Sequence, residues 1–356
     1  ELIPNSKAGL LMEVNSGEIL FEKNKDERLS VASMTKMVGL IIIMEKLENG
    51  ELSLDEIVTA SKNAAGMGGS QIYLSSGEEM SVRDLIKGIT MASANDATVA
   101  MAERIAGSEE KFVELMNLKV KELGLKNTHF VNSTGLDEKD HYSSSYDMAI
   151  IAKELLKYED VLDFTSIYED YLRVDTSNKF WLVNTNKLVR LYEGADGLKT
   201  GFTDAAGYCM AVTAKRNNMR LIASVLGEES GKVRNSETSE LLDYGFDNYK
   251  TMVLKNRNQV IDTIVLEKGN KSEVDVYLKE DASILMRQSD SENGYDTEIS
   301  LNNISFPLTK NDVVGKFFIK KDNNIIKEID LIIKEDINSK KFYELFLDLL
   351  KNTLYI

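Results

Sequence analysis

The chain has one cysteine, Cys209, and two histidines, His129 and His141, among its 356 residues. A single cysteine excludes an intrachain disulfide and any cysteine-rich zinc site. Neither histidine sits in a serine-hydrolase elbow or a His-x-x-x-His pattern, so a Ser-His-Asp triad or a histidine metal site has little to draw on. A serine nucleophile here needs another base. Positive charge is also short, with 43 Lys and Arg against 58 Asp and Glu and a formal net charge of −15. That balance argues against a nucleic-acid partner, because neutralising a phosphate backbone takes clustered cations. No apolar run reaches the roughly 18 residues that a membrane-spanning helix needs. The chain starts at Glu1 rather than methionine, as expected where an upstream segment has been removed.

What is present is a globular composition, 43% hydrophobic and 28% charged, long enough for two domains. Ala8 to Val14 and Glu18 to Glu22 read as strands joined at Asn15-Ser16-Gly17. From Val31 to Lys46 the apolar residues cover most of a helix circumference, the pattern of a buried helix. Further helices are expected over Ser81 to Ala106, interrupted around Ser93 to Asp96, and over Glu109 to Leu123. A second hairpin, Tyr208 to Lys215 and Met219 to Gly227, turns at Arg216-Asn217-Asn218, and a helix follows over Ser236 to Tyr249. Strands at both ends of a helical middle predict an antiparallel sheet flanked by helices in an α+β domain over residues 1–250. Short alternating segments at Val260 to Leu266, Val274 to Leu278, Ile284 to Met286, Val313 to Lys320 and Glu328 to Lys334 predict a small all-β domain over 251–337. The final stretch, 338–356, reads as an amphipathic helix with Phe342, Leu345, Phe346, Leu349, Leu350 and Leu354 on one face.

Two polar residues stand at the mouth of the buried helix. Ser33 and Lys36 are three apart and share a helical face, so the amine can reach the hydroxyl. Burial lowers a lysine pKa, and a neutral amine beside a hydroxyl is a competent general base. Ser-x-x-Lys alone is common, and Ser108 to Lys111 is a second copy in a solvated acidic stretch. The ordered set is more specific: Ser33-x-x-Lys36, then Ser93-Ala94-Asn95 between helices, then Lys199-Thr200-Gly201 on a strand. This trio occurs in penicillin-binding proteins and class A β-lactamases.

The chain resembles the low-molecular-mass penicillin-binding proteins that act as serine-type D-alanyl-D-alanine carboxypeptidases. The likeness extends to Ser93-Ala94-Asn95-Asp96-Ala97, Asn132-Ser133-Thr134-Gly135-Leu136-Asp137, Asp196-Gly197-Leu198-Lys199-Thr200-Gly201-Phe202-Thr203 and Leu241-Leu242-Asp243-Tyr244-Gly245-Phe246. It covers essentially the whole chain. Val31 stands where members usually have proline, and Phe202 where some have histidine. The resemblance implies a penicilloyl-serine transferase (β-lactamase-like) fold for the first domain and metal-free, cofactor-free trimming of the terminal D-alanine from peptidoglycan stem peptides. It implies that Ser33 is acylated, by stem peptide or by β-lactam antibiotics, with Lys36 as its base. Ser93 passes the proton to the leaving D-alanine and Lys199 attracts the terminal carboxylate. Asn95 bonds the substrate amide and steadies Lys36, and Thr200 binds the carboxylate beside Arg234. The backbone N–H groups of Ser33 and of Phe202, just after Gly201, make the oxyanion hole. It further implies an extracytoplasmic enzyme held on the outer face of the bacterial cytoplasmic membrane by the terminal helix, which is too short and charged to span a bilayer.

Other readings stay open at this stage. A β-lactamase needs a deacylating glutamate, and the nearest segments, Glu122 to Lys126 and Glu159 to Asp163, lack the asparagine of Glu-x-x-Leu-Asn. A catalytically silent wall scaffold would have been free to lose Ser33, Lys36 or Lys199. Residue by residue, Ser93 and Asn95 could cap a helix, Thr200-Gly201 could be a plain turn, Arg234 a solvated charge, and both histidines loop residues.

Overall fold

Residues 2–341 and Tyr343 are described by the computed structural model, and they fall into two units, one ending at Asn248 and the other starting at Tyr249. The strands of the first unit are β1 (Ala8–Glu13), β2 (Ile19–Lys23), β3 (Ile57–Thr59), β4 (Glu79–Ser81), β5 (Glu169–Leu172), β6 (Phe180–Val183), β7 (Ala195–Thr203), β8 (Gly207–Arg216) and β9 (Met219–Glu228). Its helices are α1 (Lys36–Glu48), α2 (Lys62–Ala65), α3 (Val82–Met91), α4 (Asn95–Ala106), α5 (Glu109–Glu122), α6 (Ser145–Leu155), α7 (Leu162–Thr165), α8 (Leu188–Leu191) and α9 (Gly231–Asn248).

Five strands form an antiparallel sheet in the order β2-β1-β9-β8-β7. Its central strands are apolar along their length because both faces are covered. On one face Ala8, Leu10 and Met12 of β1 join a core that includes Met148, Ala149 and Ile151 of α6 and most of α1. On the other, α9 packs so closely that a Cβ on Gly245 would lie 2.5 Å from Leu221 and 3.0 Å from Leu11. The β8–β9 turn uses Asn217 at φ +53°, a left-handed position that asparagine tolerates. Two pairs outside the main sheet, β3–β4 and β5–β6, were not anticipated. The Val31–Lys46 helix expected from sequence is corrected at its start: Ala32–Thr35 is a 3-10 turn, and the α-helix begins at Lys36 and is buried through Met44. Helix α9 also starts earlier than expected, at Gly231.

The second unit carries β10 (Tyr249–Lys255), β11 (Asp262–Val265), β12 (Glu273–Leu278), β13 (Ala282–Arg287), β14 (Tyr295–Leu301), β15 (Val313–Lys321) and β16 (Asn324–Ile333). A five-stranded sheet runs β11-β12-β16-β15-β14, and β10 pairs with β13. Alternation places Val276, Leu278, Phe317, Ile319, Leu331 and Ile333 in a separate core. The helix expected over 338–356 does not begin at Asn338. The Asn338 carbonyl accepts from Asn270 N, Lys340 N donates to the Lys268 carbonyl, and Ser339 bridges Gly269, so this stretch pairs like a strand. The remainder of the expected helix lies outside the described residues, Lys341 and Tyr343 excepted.

Candidate active site

The 3-10 turn brings Ser33 to the surface of a cleft while Lys36, one turn on, is 1% exposed. Lys36 Nζ donates to Ser33 Oγ at 2.8 Å and to the Thr134 carbonyl at 2.7 Å. That carbonyl is fixed locally. The Asn132 side-chain oxygen accepts from the N–H groups of Gly135 at 2.7 Å and Thr134 at 3.2 Å, folding the Asn-Ser-Thr-Gly stretch into a tight turn. Gly135 sits at φ +85°, and a Cβ there would lie 1.9 Å from the Ala32 carbonyl oxygen. The turn therefore presses against the Ala32–Ser33 segment through bare backbone. Asp137 closes the arrangement by accepting from Ser30 Oγ and Thr203 Oγ1, each at 2.8 Å.

A second amine faces a second serine. Lys199 on β7 donates to Ser93 Oγ at 2.8 Å and to the Thr200 carbonyl at 3.0 Å. Ser93 is held at φ +60°, a sparsely populated conformation for a non-glycine residue. Asn95 opens α4 and donates to the Gly68 carbonyl at 2.7 Å, while its buried Oδ1 has no protein partner. The contact expected between Asn95 and Lys36 is not formed: Lys36 Nζ donates to Ser33 and Thr134 instead, and the Asn95 Oδ1 that could accept from it stays open. Helix capping does not account for either residue, because α4 has Ala94 at its N-cap and no side-chain cap bond. By contrast, Ser108 of the second Ser-x-x-Lys is a plain cap, accepting from Lys111 N at 3.3 Å.

Both amines are pushed toward their neutral forms. Burial, with the Lys199 ammonium nearby and only partly offset by Asp96, holds Lys36 well below the ordinary lysine range. Burial and the Arg234 guanidinium bring Lys199 down to about 7. Desolvation penalises an ammonium, and a like charge adds to the penalty. Lys36 therefore has the character of a neutral base.

The cleft has a volume of about 680 Å³ and is lined by Ser33, Ser70, Ser93, Thr185, Lys187, Thr200, Gly201, Phe202, Tyr208, Gly231, Lys232, Arg234 and Asn235. Gly201 lies against the 3-10 turn, where a Cβ would come within 3.1 Å of Ser33 N and 2.7 Å of the Val31 carbonyl. This brings the backbone of β7 beside that of Ser33. Thr200 Oγ1 donates to Thr185 Oγ1 at 2.7 Å. Arg234 is only 7% exposed, with Nη2 2.9 Å from Asn235 Oδ1 and Nη1 3.4 Å from the Cys209 carbonyl, so it is not a solvated surface charge. Phe202 stacks on Tyr208 at 4.3 Å between ring centroids and stays half exposed.

Sequence reasoning missed the Thr134 carbonyl, Thr185 and His141. His141 is 5% exposed, accepts from Val131 N through Nδ1 and so presents Nε2–H to Thr35 Oγ1 at 2.8 Å. Burial, with His129 nearby, lowers its pKa to about 4. It is a neutral prop beneath the Ser33 turn.

Comparison with known proteins places this geometry in context. The D-alanyl-D-alanine carboxypeptidase family matches residues 4–230, and the C-terminal domain of penicillin-binding protein 5 matches residues 249–339. The chain is 48% identical over 343 residues to D-alanyl-D-alanine carboxypeptidase DacF of Bacillus subtilis (strain 168), covering 96% of this chain and 88% of that one. Penicillin-binding protein 5 from Haemophilus influenzae superposes with a TM-score of 0.73 at 32% identity, over 94% of this chain and 98% of that one. Penicillin-binding protein D2 from Listeria monocytogenes in its ampicillin-bound form gives a TM-score of 0.62 at 33% identity, over 69% of this chain and 99% of that one.

Proposed function

The chain belongs to the D-alanyl-D-alanine carboxypeptidase family, and from that membership we propose how its own residues carry the reaction. It is a serine-type carboxypeptidase of the low-molecular-mass penicillin-binding class, acting on stem peptides that end in D-alanyl-D-alanine and open to acylation by β-lactams. The observation that carries the residue assignment is the 2.8 Å contact between Lys36 Nζ and Ser33 Oγ, with the amine buried and held toward its neutral form.

In this reading Lys36 takes the Ser33 proton as Oγ attacks the carbonyl of the penultimate D-alanine. Negative charge developing on that carbonyl oxygen is stabilised by the N–H groups of Ser33 and Phe202. The peptide C–N bond then breaks, and the leaving amine receives its proton from the Lys36 ammonium, relayed by Ser93. Water attacks the Ser33 ester and gives its proton to the same base; the acyl C–Oγ bond then breaks, Ser33 Oγ takes that proton back, and the shortened peptide leaves. Lys199, Thr200 and Arg234 receive the terminal carboxylate, and Asn95 bonds the substrate amide. No step calls on a metal.

Fluorescent penicillin tests this directly: wild type is labelled and releases D-alanine, with or without EDTA, and Ser33→Ala does neither. Stoichiometric labelling of Ser33→Ala would overturn the assignment. Two observations stand against the rivals. Glu122 is exposed and paired with Lys119 at 2.8 Å, Glu159 is exposed, and neither lines the cleft, which leaves a β-lactamase without its deacylating glutamate. Ser33, Lys36 and Lys199 all persist, as a silent scaffold would not require. We also propose that the enzyme works outside the cytoplasmic membrane and attaches to its outer surface through the apolar face of the stretch after Asn338.

A further inference from the structure

Two buried carboxyl groups have no part in the mechanism given above. Glu228, which ends β9, is 1% exposed, and neither of its side-chain oxygens meets a hydrogen-bond donor among the described residues. Its neighbour is Glu237 on α9, also buried, whose carboxylate accepts from the backbone N–H of Asn5 at 3.1 Å and from the Asn5 side-chain amide. The two carboxyl groups are hydrogen-bonded to each other, which requires that one of them carry a proton, because an ionised carboxylate only accepts. The other groups around the pair do not replace that proton. Lys23 on β2 donates to the carbonyls of Ile3 and Pro4 at 2.9 and 3.1 Å, Lys7 packs along Gly227, Cys209 on β8 is a buried thiol, and Glu229 adds a like charge. Arg234, one turn before Glu237 on α9, turns its guanidinium to Asn235 and the Cys209 carbonyl. Burial first and Glu237 second push the Glu228 carboxyl up to about 8, with Lys23 a partial offset.

The pair joins three pieces of the first unit: the N-terminal segment through Asn5, the end of β9, and the first turns of α9. Two of these border the cleft. The Glu228 backbone pairs with that of Tyr208, a lining residue, and a charge on Glu228 is felt by Arg234, another. We propose that Glu228 and Glu237 share one proton and act together as positioning residues for Arg234, and that loss of this proton weakens the hold on the substrate's terminal carboxylate. The effect on substrate rests on the carboxypeptidase reading above; the shared proton does not. Once both groups are ionised, like charges push the end of β9 away from α9, and a new anion near Arg234 competes with the substrate for its guanidinium. KM should therefore rise with kcat little changed.

Infrared spectra of the full chain read the proton directly. At about pH 6.5, where solvated carboxyl groups are ionised, wild type should keep a protonated-carboxyl carbonyl band that is lost by about pH 9.5. The part of that band due to the pair should be missing from Glu228→Gln, whose carboxamide donates to Glu237 as the protonated acid does. Glu237→Gln should move the loss of the band to lower pH, and serves where Glu228→Gln does not fold. Stability follows the same proton. The folded chain holds it while the unfolded chain loses it near the ordinary value of 4.5, so stability falls as pH climbs from there to about 8 and is level beyond. Between about pH 5 and about pH 9 the Tm of wild type should drop by about 5 °C relative to that of Glu228→Gln. Over that range the KM of wild type for an N-acetyl peptide ending in D-alanyl-D-alanine should rise about threefold relative to the variant. Lys199 titrates in both proteins, so the ratio of the two KM values reports the pair. A wild-type spectrum without the band, or a band that neither substitution alters, would overturn the shared proton. A KM ratio that does not change with pH would overturn the link to Arg234. Failure of wild type to release D-alanine would instead overturn the carboxypeptidase reading, while the infrared band and the Tm still decide the pair.

Discussion

In the proposed mechanism Lys36 acts uncharged, and this sets the direction of its pH dependence. Its pKa is depressed by burial first and by Lys199 second, so the base is unprotonated above that lowered value and lost as pH falls through it. The rate of penicillin acylation should therefore rise with pH along its acid limb. Lys36→Arg puts a permanently charged group there that cannot act as a base, and should slow acylation by at least about 100-fold at every pH, measured as the second-order labelling rate. A variant with near wild-type labelling would remove Lys36 as the base. At this scale the sequence was informative where a motif is made of side chains. Ser33, Lys36, Ser93 and Lys199 could be named from spacing and likeness, and the structure places them in two bonded pairs. The Thr134 carbonyl could not be named, because a backbone acceptor leaves no mark in the residue types. The burial of Arg234 and His141 was equally hidden, since whether a polar side chain is desolvated depends on elements distant in sequence.

Among elements, the 3-10 turn is confined on two sides by glycine backbone, Gly135 from one loop and Gly201 from β7. Gly135→Ala combines a left-handed φ with a Cβ 1.9 Å from the Ala32 carbonyl oxygen. The conformation alone costs about 1 to 2 kcal/mol before any clash is relieved. The expected outcome is a lower Tm together with slower penicillin acylation, because relief of the clash displaces Ser33 or Thr134. Unchanged acylation in a folded Gly135→Ala protein would show that the loop does not set the nucleophile's position. The long apolar elements were legible: β1, β8, β9 and the buried helix lie within a few residues of their expected bounds. The start of that helix was not, because a 3-10 turn and the first turn of an α-helix share the same three-residue spacing of Ser33 and Lys36. Hairpin β5–β6 escaped notice because each strand has only four residues, and Tyr171 and Trp181 stay on an exposed face.

For the molecule as a whole, the two units have separate cores, and every residue assigned to the cleft belongs to the first. The solved chain of Listeria penicillin-binding protein D2 aligns over 99% of its length with 69% of this chain, about the length of the first unit alone. A chain ending at Asn248 should accordingly fold and take up fluorescent penicillin at a rate within about threefold of the full chain, whereas loss of labelling in a folded truncation would make the second unit part of the site. Liposome co-sedimentation of the full chain and of one ending at Asn338 tests the surface attachment. Equal partitioning would eliminate it, and loss of binding with D-alanine release intact would support it. The contacts that assemble the cleft also have an order in time. Ser33 and Lys36 meet the Thr134 carbonyl across 101 and 98 residues, and Lys199 meets Ser93 across 106. Pairings so far apart along a chain are closed late, after local helices and hairpins have formed. During refolding, the capacity to be acylated should lag behind secondary structure, which makes a covalent penicillin label a clock for the last stage of folding.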